Sequence, residues 1–492
     1  MLLAAAGDLG GTVKTQGRLV VAALGLLLAG CAALPQHLPK NRDAGAVPDL
    51  KRPVDMASIP WPQVRWWREL RQPALDTLVE RALEHNPDLQ EADARVLLAQ
   101  AQVAAAHSRL LPHFDVGLSF TQQYFSDQGL HLSANGTSNF YTELNPIEAR
   151  YHLDLWGQDA DLVRAARGRL AMARAEAAQT RLLLSTATAL HYLALQGDER
   201  VLHQERQLRH WQKTALQVAE LAYASGLEDR SAVDLAKVAL QQSSRRCDAL
   251  VAAIAAERHA LAALAGQGPD ASIPVDTADS GHARPSVGLP AQLPMELLGR
   301  RPDIVAARWA VRAAAAQVGA ARAAFYPDIN LRLLAGWNSI RLGDLFNPGN
   351  FAHAVGPAIT LPIFEGGALR AQLRAQNAVF LAAQDHYRET ILTALRQVAD
   401  VLSDARRLER DAKALQTQQR SQDRQWQLRR TAWRSGLTSR LPSIEARIQL
   451  QGTLEAETVN RIQRLQNWVL LESALGGGYD ATLGKKTKDH DG

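Results

Sequence analysis

The chain has 492 residues, of which 5% are aromatic and 47% hydrophobic, and its 55 basic and 50 acidic side chains leave a formal charge of +5. The two signs are interspersed along the same stretches and form no basic face, which excludes a nucleic-acid partner. Few aromatics beside abundant Ala, Leu, Gln and Arg is the composition of long helices packed through small side chains.

Residues 19–28 read Leu-Val-Val-Ala-Ala-Leu-Gly-Leu-Leu-Leu behind Lys14 and Arg18. Ten apolar residues are too few to span a bilayer, which takes roughly 20, and they fit the apolar core of a secretion signal over residues 1–30. The segment closes with Leu28-Ala29-Gly30-Cys31, which resembles the bacterial lipobox. That resemblance implies cleavage before Cys31, a diacylglycerol thioether on its sulfur and an acylated amino group. Three fatty chains on one residue would make a durable anchor. Ala32, with no Asp after the Cys, implies sorting to the outer membrane. With Cys31 acylated, Cys247 has no partner for an internal disulfide, and it reads as a small buried hydrophobe within a helix.

Residues 31–72 are proline-punctuated and read as a tether, with Trp61, Trp66 and Trp67 available to pack against a body. A short helix is predicted near 74–84, and Asn86-Pro87-Asp88 starts a second that runs to Leu111 and stops at Pro112. Past Pro112 the period becomes two. Phe114, Val116, Leu118 and Phe120 alternate with Asp115, Gly117, Ser119 and Thr121. After Pro327, Ile329, Leu331, Leu333 and Trp337 alternate with Asn330, Arg332 and Asn338 in the same way. These are strands with one apolar and one polar face. A second strand of each pair is marked by Tyr151, Leu153 and Leu155 in one half and by Val355, Ile359, Leu361 and Ile363 in the other, where Pro357 weakens the pattern. Residues 158–223 and 367–434 then carry no proline and repeat their apolar positions at three and four (Leu162, Ala166, Leu170, Ala173, Ala177). At 1.5 Å per residue such helices would reach roughly 100 Å. Each ends at a Ser-Gly-Leu turn, at Gly226 or Gly436, and returns as a helix over 231–265 or 441–475, giving an antiparallel hairpin of coiled-coil type.

The chain contains itself twice. Pro87-Asp88 recurs at Pro302-Asp303, Gln102-Val103 at Gln317-Val318 and Pro112 at Pro327, all at an offset of 215 (302 − 87 = 215). Ala222-Tyr-Ala-Ser-Gly226-Leu227 recurs as Ala432-Trp-Arg-Ser-Gly436-Leu437 at an offset of 210. The chain therefore divides into a signal (1–30), a tether (31–72), a first repeat (73–265), a Gly/Pro-rich linker (266–293), a second repeat (294–478) and a tail (479–492).

Catalytic signals are missing: no HExxH, GxSxG or Walker A sequence occurs. Gly266-Gln-Gly268 mimics a dinucleotide fingerprint but follows a helix and opens none. His203 and His210 stand seven apart, too far for joint ligation of a metal. No enzyme, cofactor or metal is expected. Four alternating strands cannot close a barrel, and single-chain outer-membrane barrels start at eight. If the strands enter a membrane, several chains must share one barrel; a free two-stranded ribbon would instead leave an apolar face wet.

Lipobox, paired strands, long hairpins and duplication together resemble the outer-membrane efflux family, the TolC-like channels, in their lipoprotein branch of NodT or OprM type. Trp66-Trp67, Gln72-Pro73-Ala-Leu75, Leu298-Gly-Arg-Arg-Pro-Asp303, Leu361-Pro-Ile-Phe-Glu-Gly-Gly367 and Ala474-Leu-Gly-Gly-Gly-Tyr479 match that branch. Trp61-Pro-Gln63, Arg308-Trp309, Phe325-Tyr-Pro327 and Glu445-Ala-Arg447 are closest to its multidrug-resistance members. The resemblance implies a mainly α fold with a small β part: a homotrimer sharing a twelve-stranded transmembrane barrel, continued by a periplasmic helical barrel. It implies a passive duct for drugs or toxic small molecules in a tripartite pump in the bacterial outer membrane. The partners it implies are outer-membrane lipids, a periplasmic adaptor and an inner-membrane exporter of aromatic-acid or fusaric-acid type, or else of RND or MFS type. It also implies a periplasmic gate at Leu441 and Glu445, just past the hairpin tip at Gly436. Many members have Asp where Glu445 stands, and some carry a second acid at Pro442, so a less acidic gate is expected here. Taken without the family, Glu445 is a solvated surface charge. The alternative of another class is a periplasmic adaptor or structural lipoprotein using its hairpins for protein contacts. Adaptors carry one hairpin in a β-rich lipoyl-like domain, whereas this chain has two hairpins and no such domain.

Overall fold

The computed structural model describes residues 60–128, 136–275 and 299–481. The signal at 1–30 with Cys31, the tether up to residue 59, most of the 266–293 linker and the tail beyond 481 lie outside the described residues. Eleven main elements follow in order. The first half has α1 (Pro73–His85), α2 (Pro87–Ser108), β1 (His113–Tyr124), β2 (Ser138–His152), α3 (Gln158–Ala224) and α4 (Arg230–Leu264). The second half has α5 (Pro302–Ala323), β3 (Asp328–Ser339), β4 (Phe351–Thr360), α6 (Ala368–Arg434) and α7 (Leu441–Ala474). The duplication holds at the level of elements. Helices α2 and α5 are offset by 215 at both ends (302 − 87, 323 − 108), as are β1 and β3 (328 − 113, 339 − 124). Helices α3 and α6 both span 67 residues, 210 apart (368 − 158, 434 − 224). The five residues lost between the two offsets fall around β2 and β4, of 15 and 10 residues.

Two compact units divide the chain, and each has its own packing. The unit built from Leu97–Met172 and Arg308–His386 carries the sheet. Its four strands pair antiparallel in the order β1-β2-β3-β4. Their register puts the apolar positions of all four strands on one face. Phe114 lies opposite Ala149, and Ala149 opposite Leu333, which lies opposite Val355. Leu118, Leu144, Trp337 and Phe351 form a second such row. Ser119, Glu143 and Asn338 lie in a row of the opposite face. A one-residue slip would exchange the faces, so this agreement across three ladders fixes the register.

Strand β2 departs from the predicted pattern. It runs from Ser138 to His152 and leaves Leu153 and Leu155 outside, although Leu153 N–H still donates to the Ile329 carbonyl at 2.8 Å. Its ladder to β3 jumps from Leu144–Trp337 to Ile147–Ala335, a bulge holding Asn145 and Pro146. The bulge switches the parity of the apolar-face set from Phe140, Thr142 and Leu144 to Ile147, Ala149 and Tyr151, which hid the strand from a strict two-residue period. Gly336 sits opposite it, where a Cβ would run into the Leu144 carbonyl. Strand β4 keeps Pro357 because it is an edge strand, and it stops at Thr360, short of Leu361 and Ile363. Helix α2 likewise ends at Ser108 and not at Leu111; three successive i to i−3 bonds from Arg109, Leu110 and Leu111 tighten the chain before Pro112.

The second unit holds residues 60–96, 173–275, 299–307 and 387–481 among those described. The end of the expected tether is docked in it: Trp66–Leu70 form a 3-10 turn, and Trp66 and Trp67 are buried. Trp66 lies edge-on to Trp468 of α7 with ring centroids 5.9 Å apart. Leu75, Leu78 and Val79 of α1, Tyr192 and Leu193 of α3 and Leu261 of α4 complete that core. Cys247 is buried in the same cluster, and burial pushes its thiol up, as suits a packing residue. Ile304, Ile391, Val398 and Leu471 form a second cluster.

Candidate functional site: the hairpin tips and the apolar sheet face

The two hairpin tips are built alike up to a point. At the first, Leu227 N–H donates to the Ala222 carbonyl at 2.9 Å and Gly226 N–H to that of Tyr223 at 3.0 Å. At the second, Leu437 bonds Ala432 at 2.9 Å and Gly436 bonds Trp433 at 3.0 Å. Both are Schellman motifs, and Gly226 (φ 69°) and Gly436 (φ 71°) supply the left-handed residue they need. Each turn leaves its following leucine in the open, Leu227 at 78% and Leu437 at 80% exposure.

The returning helices then differ. Helix α4 starts from Asp229, whose carboxylate accepts from Ser231 and Ala232 N–H groups at 2.9 and 3.2 Å. The matching position of the second tip is Ser439 (439 − 229 = 210), and α7 starts one residue later at Leu441. Arg440 takes the cap position with helical dihedrals and no side-chain capping bond, while its guanidinium lies 5.3 Å from the Trp433 ring. Pro442 follows within the first turn, where its missing N–H leaves one fewer group to satisfy.

Of the two residues expected at the gate, Leu441 opens this helix and Glu445 stands one turn further in. Ser443, Ile444 and Ala446 turn into the unit and are buried, whereas Leu441 is half-buried and Glu445 exposed. Leu441 and Glu445 stand four residues apart and so share a face. Just beyond lies Arg447, which sequence reasoning quoted only as part of a motif. Its guanidinium is 4.6 Å from the Trp426 ring of α6 and 5.9 Å from the Trp211 ring of α3. An Arg between two Trp rings ties three helices together behind the tip by cation–π attraction. No linear pattern could have found it, because the rings arrive from positions 211 and 426.

The sheet offers the other surface. Phe114, Val116, Leu118 and Phe120 of β1 are 53 to 72% exposed, and Val355 and Ile359 of β4 are at 77 and 64%. These are both outer strands of the sheet, and among the described residues each keeps one backbone edge unpaired. Cross-strand rings fill the same face, with Trp337 and Phe351 at 5.5 Å and Phe120 and Phe140 at 6.2 Å between centroids. Among the described residues no helix is long and apolar enough to cross a membrane.

The family model described as outer membrane efflux protein matches the chain twice, over residues 78–267 and 293–477. The fusaric acid resistance protein FusA of Burkholderia cepacia is 35% identical over 377 residues, 74% of this chain and 70% of its own. The multidrug resistance outer membrane protein MdtP of Escherichia coli O6:H1 is 31% identical over 471 residues, 92% of this chain and 95% of its own. Among solved structures, the outer membrane protein VceC of Vibrio cholerae superposes with a TM-score of 0.76 at 32% identity, covering 85% of this chain and all of that one.

Proposed function

Because this chain belongs to the outer membrane efflux protein family, we propose a detailed reading in which three copies of it close one membrane pore. The chain is an outer-membrane channel component of an efflux pump, a passive duct and not an enzyme. The observation that carries the finer reading is the sheet. An apolar face with two open edges is not tolerated in lipid unless other strands complete it. Four strands from each of three copies would give a closed twelve-stranded barrel, above the eight-strand minimum.

The exposed Leu227 and Leu437 of the tips are the surfaces we assign to a periplasmic adaptor. The likeness to a fusaric acid resistance protein supports an aromatic-acid type exporter as the inner-membrane partner. Leu441 and Glu445 would form the gate, and acylated Cys31 would add a lipid anchor to the barrel. Palmitate labelling of Cys31→Ser equal to that of the parent would rule out that anchor.

The trimer is tested by chemical cross-linking of the protein in mild detergent. A ladder ending at three copies is expected. A monodisperse monomer that keeps its full strand content by circular dichroism would overturn the shared barrel.

A further inference from the structure

In the sheet-bearing unit, β2 passes into α3 through residues 153–157, and four acceptor-bearing side chains meet there. Asp159, in the first turn of α3, is buried at 1% exposure. One of its oxygens accepts from Arg109 Nε at 2.6 Å, and the other contacts His152 Nδ1. His152 Nε2 lies 3.1 Å from Asp328 Oδ1. Asp154 Oδ2 accepts from the Ala160 N–H at 2.8 Å, while its Oδ1 is buried with no hydrogen-bond partner. A ring nitrogen of His152, an Asp154 oxygen and an Asp159 oxygen lie within 4.8 Å of one another.

Either the His152 ring is protonated and donates to both carboxylates, or a neutral ring is left with one lone pair facing an acceptor. Asp328 can accept only if His152 Nε2 carries the proton, and in the neutral ring that leaves a lone pair on Nδ1 aimed at the Asp159 carboxylate. Three carboxylates against one guanidinium leave this cluster at a net charge of −2 with the ring neutral (Asp154, Asp159 and Asp328 against Arg109). A carboxylate that holds the far nitrogen of a histidine is the outer-shell partner that metal-ligating imidazoles commonly have.

Nor does the fold of the repeat require this cluster. The second half makes the same strand-to-helix passage from β4 to α6. There the last strand residue is Thr360, the residue two further on is Pro362, and the second helical residue is Leu369. His152, Asp154 and Asp159 have no counterpart among them.

We propose that His152, Asp154 and Asp159 bind one divalent cation of the zinc class per chain, with Asp328 orienting the imidazole and Arg109 holding the second oxygen of Asp159. One nitrogen and two oxygens suit Zn²⁺ better than Mg²⁺ or Ca²⁺, which prefer all-oxygen shells. Water would complete the coordination. The cation would tie the end of β2 to the first turn of α3.

The test uses the full chain in detergent, stripped with EDTA and titrated with Zn²⁺ by calorimetry, with bound metal counted by mass spectrometry. One Zn²⁺ per chain and a higher melting temperature are expected. Asp154→Asn keeps an acceptor for the Ala160 N–H and should lower the affinity by at least about tenfold, and Asp328→Asn should cost about 10- to 100-fold. Zn²⁺ uptake unchanged in Asp154→Asn would mark binding at other surface histidines and overturn the site. Absence of stoichiometric uptake would also overturn it, in favour of a charged His152 bridging two carboxylates. Mg²⁺ binding as tightly as Zn²⁺ would remove His152 from the ligand set.

Discussion

Glu472 of α7 is a carboxyl group held where a carboxylate is poorly solvated. It is 4% exposed, one of its oxygens has no hydrogen-bond partner, and its pKa is pushed up to about 8, first by burial and then by the nearby Glu69. At neutral pH it is therefore mostly protonated. Because its folded pKa lies above the unfolded value of about 4.5, stability is full below pH 4.5 and is lost as the pH rises toward 8. With about 1.4 kcal/mol per unit, the loss is on the order of 5 kcal/mol once the window is crossed. Glu472→Gln, neutral at every pH, should flatten this dependence. Thermal melts of parent and variant from pH 5 to pH 9 should diverge, with the variant the more stable at the alkaline end. Parallel curves would show that the group ionises freely where it sits. Glu455 is pushed in the same direction by burial, against the lowering effect of Arg246, so the two acids bear on different parts of the same helix.

At the scale of elements, the irregularities of the sheet carry as much information as its regular ladders. Pro146 in a central strand would be excluded from an unbroken ladder, and the bulge at Asn145 and Pro146 is what admits it. The bulge brings the β2 backbone against Gly336, so that no side chain fits there. Gly336→Val should force either the bulge or the β3 register to shift, at a cost of about 1–3 kcal/mol or more. The expected readout is a smaller yield of cross-linked trimer in the membrane fraction, with helix content retained. A yield equal to the parent's would mean that the bulge relaxes without strain. The hairpin elements show the opposite behaviour. Both 67-residue helices and both glycine turns were legible in sequence, because absence of proline, period and a Ser-Gly-Leu stop are all local signals. Their differing caps were not legible. Asp229 captures two N–H groups, whereas the residue at the corresponding position, Ser439, is followed by a helix that begins one residue later.

At the scale of the whole molecule, the proposed gate rests on the family and on a threefold assembly together. Leu441 and Glu445, one turn apart at the start of α7, share one face, clear of the buried Ile444 and Ala446. In a threefold assembly each residue would be repeated as a ring, one apolar and one of three carboxylates. Leu441→Ala combined with Glu445→Ala should raise single-channel conductance in planar bilayers and make cells sensitive to a large antibiotic such as vancomycin. Glu445→Ala alone should mainly weaken block by divalent cations. If the double variant conducts like the parent, the constriction lies elsewhere on the hairpins.

What the sequence determined by itself is the set of properties that repeat along the chain. These are the duplication, the strand and helix periods, the turns at Gly226 and Gly436 and the family they resemble, since each depends on neighbours a few residues apart or on a copied block. Only the tertiary structure decided which residues meet. It set Arg447 between Trp211 and Trp426, buried Glu472 near Glu69 of the docked turn, and drew His152, Asp154 and Asp159 toward Asp328. The physical reason is that burial, pairing and cation–π contact depend on distance in space. Partners separated by up to 403 residues (472 − 69) leave no periodic trace in the sequence.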